Sequence, residues 1–351
     1  TGNFAFHLEG FQRSSDNVEI PGFAIDEAAV EALEALAHAH EGEHEEGHHD
    51  DESHEEDDHG DEEEFPNTKG FIGNSDSESD SGSIGVSFIG ERGFIGFSTS
   101  KLNNKYGLPP GSHTHAHGDE EEEHNAEEGH EDEHGHGEEG EFVRLDIEQT
   151  RHDLRAGIGF SKGFIESARA SLAYTGYAHD EIEYFEDGGQ VVGTVYSNEG
   201  YEGRVTFNRR ATGAWSGVYG LQFTDNEFSA IGEEAFIPES DIQNLGIFGF
   251  EQYEAERFHL ELGFRYDANK VETGQCDSNE SQFSTSGSLL YKINGESNAF
   301  LGLTRASRSP SVEELFSNVN NSTCNRVLDN EDLVLHAATN LLEIGNPNLD
   351  T

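Results

Sequence analysis

The chain is short of basic residues, long apolar runs, cysteine and proline, and these shortages narrow what it can be. Only 20 of its 351 residues are Lys or Arg, against 72 Asp or Glu, for a formal net charge of −52. That balance repels phosphate backbones and draws cations, so the expected partners exclude nucleic acid. No apolar run approaches the roughly 18 to 20 residues of a membrane-spanning helix. Two cysteines, Cys276 and Cys324, are too few for a disulfide-built scaffold and are not in CxxC spacing. The chain opens at Thr1 with neither a basic nor an apolar leader segment, and EIGNPNLDT at the other end forms no strand. Both ends therefore read as cuts through a longer protein.

Against seven prolines stand 41 glycines, 24 Phe and 10 Tyr, while hydrophobic residues make up only 33% of the chain. Low mean hydropathy with many aromatics is unusual for a soluble globule. It is expected of a transmembrane barrel, whose strands alternate apolar and polar residues and never score as hydrophobic segments. The alternation is visible. In FVRLDIEQ, Val143, Leu145 and Ile147 oppose Arg144, Asp146 and Glu148. In YEGRVTFNRR, Tyr201, Val205 and Phe207 oppose Arg204 and Thr206. In HLELGFRYD, Leu260, Leu262, Phe264 and Tyr266 oppose Glu261, Arg265 and Asp267. A period of two with charges of both signs on one face predicts strands whose apolar face meets lipid and whose polar face lines a lumen. On this reading Leu145, Phe207 and Leu262 point out, and Arg144, Arg204 and Arg265 point in.

About eleven strands are expected, joined alternately by short turns and long loops. The fold class is thus all-β, an antiparallel transmembrane β-barrel wall with its long loops on the extracellular side. Two of those loops, residues 21–82 and 107–141, carry tracts in which His alternates with Asp and Glu. The first holds His38, His40, His44, His48, His49, His54 and His59; the second holds His113, His115, His117, His124, His130, His134 and His136. Together they carry 28 acidic residues and no Lys or Arg. So little apolar surface cannot offset ordering entropy, so these loops are expected to be solvated and largely disordered. Asp26 to Ala39 is a candidate for one short helix within the first, with Asp26 as its N-cap. Imidazole suits Zn, Cu, Ni and Fe, and carboxylates add oxygen donors and negative potential, so the tracts read as metal-collecting loops.

Two HExxH strings, His44–His48 and His130–His134, sit inside these tracts. A zinc protease needs that spacing on an apolar-backed helix. Gly47 and the continuous acidic run deny the string such a helix, and the chain is not read as an enzyme. Glu233 and Glu234 follow a strand, beside Phe228 and Phe236, and are candidates for a discrete oxygen-donor site at the barrel mouth. His179, on the polar face of an outgoing strand, is a candidate lumen ligand, with a hydrogen-bonded lumen histidine the favoured reading. Cys276 and Cys324 lie on outer loops in an oxidising compartment. They are expected to pair if the loops bring their Cα atoms within about 7 Å.

Several stretches resemble the barrel of TonB-dependent outer-membrane receptors, and within them the zinc-uptake branch. They are SIGVSFIGERGFIGFSTSKLNNKYGLPPGSHTHAH (Ser83 to His117), FVRLDIEQTRHDLRAG (Phe142 to Gly157) and NEGYEGRV (Asn198 to Val205). FSAIGEEAFIP (Phe228 to Pro238), TRASRSPSVEELFSN (Thr304 to Asn318) and EIGNPNL (Glu343 to Leu349) complete the set. The resemblance implies that residues 1–351 are part of a 22-stranded barrel, about half of it. The plug domain and the last strands would lie outside this chain. It also implies a bacterial outer-membrane location and energised import through the TonB–ExbB–ExbD system, which acts on the plug. The implied substrate is a scarce metal, Zn²⁺ first, with Ni, Cu or Co left open because ligand type does not select among them. The alternative is a receptor for haem or a metal chelate. The partners are then the metal ion, outer-membrane lipid and the TonB system.

Overall fold

The computed structural model describes residues 2–26, 67–109, 142–185, 188–232, 235–274, 276–320, 322–326, 333–334 and 342–349. β1 (Phe4–Ser15) leads into a small ladder of β2 (Glu19–Phe23) with β3 (Lys69–Phe71), which returns the chain to β4 (Ser77–Ile89). The chain then meanders through β5 (Gly93–Gly107), β6 (Phe142–Gly159), β7 (Ile165–Tyr184), β8 (Gln190–Thr212) and β9 (Trp215–Gly232). It continues through β10 (Ser240–Glu254), β11 (Phe258–Glu272), β12 (Asp277–Lys292) and β13 (Asn298–Arg305). A short helix, α1 (Val312–Phe316), follows, then a two-residue ladder of β14 (Val319–Asn320) with β15 (Asn325–Arg326). β1 and β4 to β13 form one antiparallel sheet of 11 strands, each paired with the next in the chain. The expected strand number, order and antiparallel wall are borne out.

At one end every connection is tight. Residues 90–92, 160–164, 213–214, 255–257 and 293–297 reverse the chain there. At the other end the connections range from four residues to the two tract-bearing loops, and the strands themselves grow taller. β7 has 20 residues and β8 has 23. At about 3.3 Å per residue these are roughly twice what a tilted strand needs to cross a bilayer. β12 begins at Asp277, so the loop expected around Cys276 shrinks to residues 273–276. Much of what composition suggests as loop is therefore strand standing beyond the membrane.

Directly opposed residues share a face, so the register locates the membrane. One rung on the outer face reads Phe6, Val86, Phe97, Leu154, Leu172, Gly203, Phe223 and Leu245 across β1 and β4 to β10. Phe97 is 48% exposed, Leu172 41% and Leu245 52%. A contiguous half-exposed apolar band of this width belongs against lipid. The Phe223 ring lies over Gly203, where a Cβ would meet it at 2.2 Å and push it aside. The adjacent inner rung reads Arg155, Ser171, Arg204, Gln222, Gly246, Asp267 and Gln282. Aromatics edge the band at both ends. Tyr174 and Tyr201 lie 5.1 Å apart towards the loops, and Trp215 and Tyr253 lie 5.0 Å apart by the turns. Amphipathic rings favour such interfaces.

Phe207 and Leu262 share the outer face of this band, and Arg204 and Arg265 share the inner one, as expected. Leu145 and Arg144 are the reverse of the expectation. β6 keeps one phase throughout, so Leu145 lies on the face of Arg151, Asp153 and Arg155, the inner one, and is 7% exposed. Arg144 shares the outer face with Leu154 and Ile158. Beyond the hydrocarbon the outer face meets water and headgroups, where charge is favoured. Arg144 pairs there with Asp76 at 2.8 Å, Lys105 with Asp146 at 2.5 Å and Lys101 with Glu148 at 3.1 Å.

Candidate functional site

The fourteen tract histidines, His38 to His59 and His113 to His136, lie outside the described residues, as do Glu233 and Glu234 and all of the candidate helix after Asp26. What the structure describes is how the flanks of these segments are held. Around the first tract the chain is clamped where it leaves and returns. Ala24 N–H donates to the Thr68 carbonyl (2.9 Å), Ile25 N–H donates to Asn67 Oδ1 (2.9 Å), and Asn67 Nδ2 donates to the Ile25 carbonyl (3.0 Å). Around the second tract Leu108 N–H donates to the Val143 carbonyl at 3.0 Å.

Asn74 ties the two stems together. Its Nδ2 donates to the carbonyls of Leu108 (2.7 Å) and Val143 (2.8 Å), and its Oδ1 accepts from Arg144 Nη1 (2.9 Å). Asn74 adopts φ 51°, a left-handed conformation that Asn tolerates better than most side chains. Gly107 makes the approach possible, since a Cβ there would sit 1.9 Å from Asn74 Oδ1. The Arg144 guanidinium holds the Asp76 carboxyl below its usual pKa. The base of the β2–β3 ladder and the Leu108–Val143 stem therefore adjoin at the loop end of β4 to β6. The sequence does not announce this junction, because a lone Asn in a loop carries no pattern.

On the inner face at the same height, β7 and β8 place a small polar patch. Rungs run Leu145, Glu181, Thr194, Gly232 and, one step lower, Ile147, His179, Tyr196, Ala230. Glu181 is 4% exposed and Thr194 fully buried. The His179 ring stacks on Tyr196 at 4.5 Å and meets Tyr177 edge-on at 5.5 Å. Its Nε2 stands 4.0 Å from Glu181 Oε1. This patch lies beyond the Tyr174 end of the lipid band. Burial pushes the imidazole below its usual pKa, partly offset by Asp180, and favours the neutral ring that binds metals. Gly232, which precedes Glu233, pairs with Thr194 on this rung, and Ala235 N–H donates to its carbonyl at 3.3 Å. Among the described residues no group of three or more His, Cys, Asp or Glu side chains is gathered.

Lower on the inner wall the charges are paired off. Arg151 donates to Asp153 (3.1 Å), Thr175 (3.0 Å) and Glu202 (2.5 Å). Arg265 grips Asp267 through two hydrogen bonds of 2.7 and 2.6 Å, and the Phe248 ring lies between the Arg204 and Arg265 guanidinium groups.

After β13 the chain turns onto the inner face and forms a cap. Ser307 N–H donates to Ser284 Oγ (3.1 Å), and Asn269 Nδ2 donates to Ser309 Oγ. Ser311 and Glu314 form a capping box that starts α1, and Arg308 grips the Glu314 carboxylate at 2.6 and 2.5 Å. With the Ser311 N–H bond, that grip lowers the Glu314 pKa to about 2. Leu315 and Phe316, each 1% exposed, pack with Phe236, Ile237, Val271 and Cys276. Cys276 is bonded to Cys324, with Cα atoms 5.5 Å apart, so the expected pairing is present. Gly345 N–H donates to the Ser317 carbonyl and Asn346 N–H to the Glu314 carbonyl, both at 2.8 Å. SRSPSVEELF and EIGNPNL are therefore two halves of one clasp. The sequence shows the two motifs, but only the fold brings them together.

An antiparallel meander with an aromatic-edged apolar outer band, a charged inner wall and tall strands on one side is the wall of an outer-membrane-type β-barrel. The chain belongs to the TonB-dependent receptor-like β-barrel family, whose match spans residues 76–351. Solved structures of similar fold include a copper transporter, OprC, at TM-score 0.55 and 16% identity, over 75% of this chain and 42% of that one. The FrpB iron transporter from Neisseria meningitidis, variant F3-3, is similar at TM-score 0.56 and 14% identity, over 88% of this chain and 44% of that one. At such identities the likeness is one of fold. The chain spans less than half the length of either protein.

Proposed function

We propose that this chain forms half the wall of a TonB-dependent outer-membrane receptor that takes up a transition metal ion, zinc before nickel, copper or cobalt. The observation that carries the reading is the Asn74 junction. It joins, at the loop end of a barrel wall, the described flanks of the two stretches that hold fourteen histidines, which supports reading both tracts as loops of one mouth. From there the tracts raise the local cation concentration through negative potential and hold ions in many interchangeable His and carboxylate sets. Loose, multiple sites suit transfer, because a tight cage retains its ion. Glu233 and Glu234, the next two residues in the chain after Gly232, then offer oxygen donors on the path inward. Energy coupling through TonB, ExbB and ExbD, acting on a plug domain, completes the cycle.

The test is zinc uptake by cells carrying the complete receptor, followed against zinc concentration. Deleting one tract is expected to lower uptake at scarce zinc and leave it intact at generous zinc. The advantage of the tract should shrink as salt screens charges beyond about 8 to 10 Å. Replacing Glu233 and Glu234 with Ala is expected to lower uptake at every concentration. Uptake that requires haem or a metal chelate and ignores the free ion overturns the reading.

A further inference from the structure

The Cys276–Cys324 bond ties the connection between β11 and β12 to the cap, and its two ends are unequally placed. Cys276 is 1% exposed and belongs to the apolar cluster under α1, with Leu315 and Phe316. Its backbone is held by Thr273, whose N–H and hydroxyl both donate to the Cys276 carbonyl at 3.0 Å. Cys324 is only partly buried, in the turn between β14 and β15, and adopts φ 52°. A left-handed backbone is uncommon for side chains other than Asn, Asp and His, so the turn gains from a cysteine only through the bond. The clasp reaches a third segment too, since Asn318 N–H donates to the Phe236 carbonyl at 2.8 Å.

We propose that this cysteine pair is the substrate of a protein thiol–disulfide oxidoreductase, which joins the two before the wall closes into a barrel. The order follows from access. A protein oxidant must bring its own disulfide against a thiolate of the receptor. In the folded chain α1 covers Cys276, and the cap lies on the inner face, where a second folded protein has no room. The pair also stands at the loop end, across the lipid band from the short turns that face the periplasm. Oxidation by a periplasmic protein therefore comes first. The chemistry balances. One cysteine thiolate attacks the oxidant's disulfide, forming a mixed disulfide and expelling one oxidant thiolate. The second cysteine thiolate then attacks the receptor sulfur of that mixed disulfide and releases the oxidant. Two thiols have lost two protons and two electrons, and the oxidant leaves as a dithiol. The two cysteines are 48 positions apart, with β12, β13 and α1 between them. An early bond closes that loop, so less chain entropy remains to be lost when the cap docks.

The test follows the complete receptor in pulse-labelled cells, with thiols quenched by acid and the free ones then tagged by a maleimide that adds mass. Chains that resist the tag at these two positions are expected before the heat-modifiable barrel form appears. In C276S and in C324S the unresolved mixed disulfide is expected, as a slower band that collapses on reduction. Mass spectrometry should identify its second component as a dithiol oxidoreductase, and the band should be absent from the C276S/C324S double variant. Assembled barrels that carry both thiols free and are oxidised only afterwards overturn the order. Oxidation at the usual pace with no mixed disulfide in either single variant overturns the enzyme in favour of a small-molecule oxidant. The trapping step precedes assembly, so a variant that fails to form its barrel still gives a result. Zinc uptake is not read, so the outcome stands apart from the metal-uptake reading.

Discussion

Near its turn, β6 directs Leu154, Ala156 and Ile158 outward and Arg151, Asp153 and Arg155 inward. Near its loop it directs Arg144, Asp146 and Glu148 outward and Val143, Leu145 and Ile147 inward. The strand does not slip between the two regions; its period and phase are constant. What changes is the medium on each side. In the band the outer face meets hydrocarbon and the inner face a wet lumen. Beyond it the outer face meets water, and the inner face packs, leaving Val143 6% exposed. A period of two identifies a strand, but each face takes its polarity from its surroundings, and a tall barrel strand passes through two of them.

The sharpest way to break this comparison is to place one charge in each region on the same face. Leu154→Arg is expected to destabilise the receptor by about 2 to 4 kcal/mol, in equilibrium unfolding from lipid vesicles. Glu148→Arg, three rungs higher on that face, is expected to cost little. Equal costs would place hydrocarbon against Glu148 and undo the boundary.

A smaller effect tests the inner packing of the upper region. Leu145→Ala is expected to cost about 2 to 3 kcal/mol, because its side chain leaves a void in a packed surface. Truncating Leu154 leaves space that fluid lipid fills, so the same change there should cost less. If Leu145→Ala proves the milder of the two, the inward assignment is wrong.

The smallest effect concerns the cap. The Arg308 grip and the Ser311 N–H hold the Glu314 carboxyl at about 2, below the usual value of 4.5. A depressed carboxyl contributes stability above its unfolded value, and that contribution is lost as pH falls through the folded one. The protection of amides 311–318 against exchange, taken relative to the intrinsic rate at each pH, should therefore fall between pH about 4.5 and 2. Glu314→Gln should abolish that pH dependence, while the band strands exchange unchanged.

The strands were legible because alternation survives any change of medium, and the turns because the chain reverses within a few residues. Arg144 and Leu145 face opposite to the expectation because VRLDI stands beyond the lipid band, where the polarity of the two faces is exchanged. The signal was present in the same line: after His152 the apolar residues continue on the set that begins with Arg144. The cap was harder to see. SxxE at Ser311 to Glu314 announces a helix start, but Phe316 is buried by residues 80 positions away, such as Phe236. For the site, sequence identified which residue types are plentiful. The Asn74 junction and the His179–Glu181–Thr194 patch depend on register between strands, which composition does not carry.

The pairing of β1 with β4 has a consequence for how the wall assembles and how it can vary. Most neighbours in the sheet close across a few residues, as Thr212 and Trp215 do, but Ser15 meets Ser77 across the whole first tract. Chain-closure entropy makes that contact costlier than the tightest hairpin by about 2 to 3 kcal/mol. β1 is therefore expected to join the sheet late and to leave it early. The cost rises only with the logarithm of length, so doubling the tract would add about 0.6 kcal/mol. The wall thus places almost no thermodynamic limit on how many histidines that loop can accumulate.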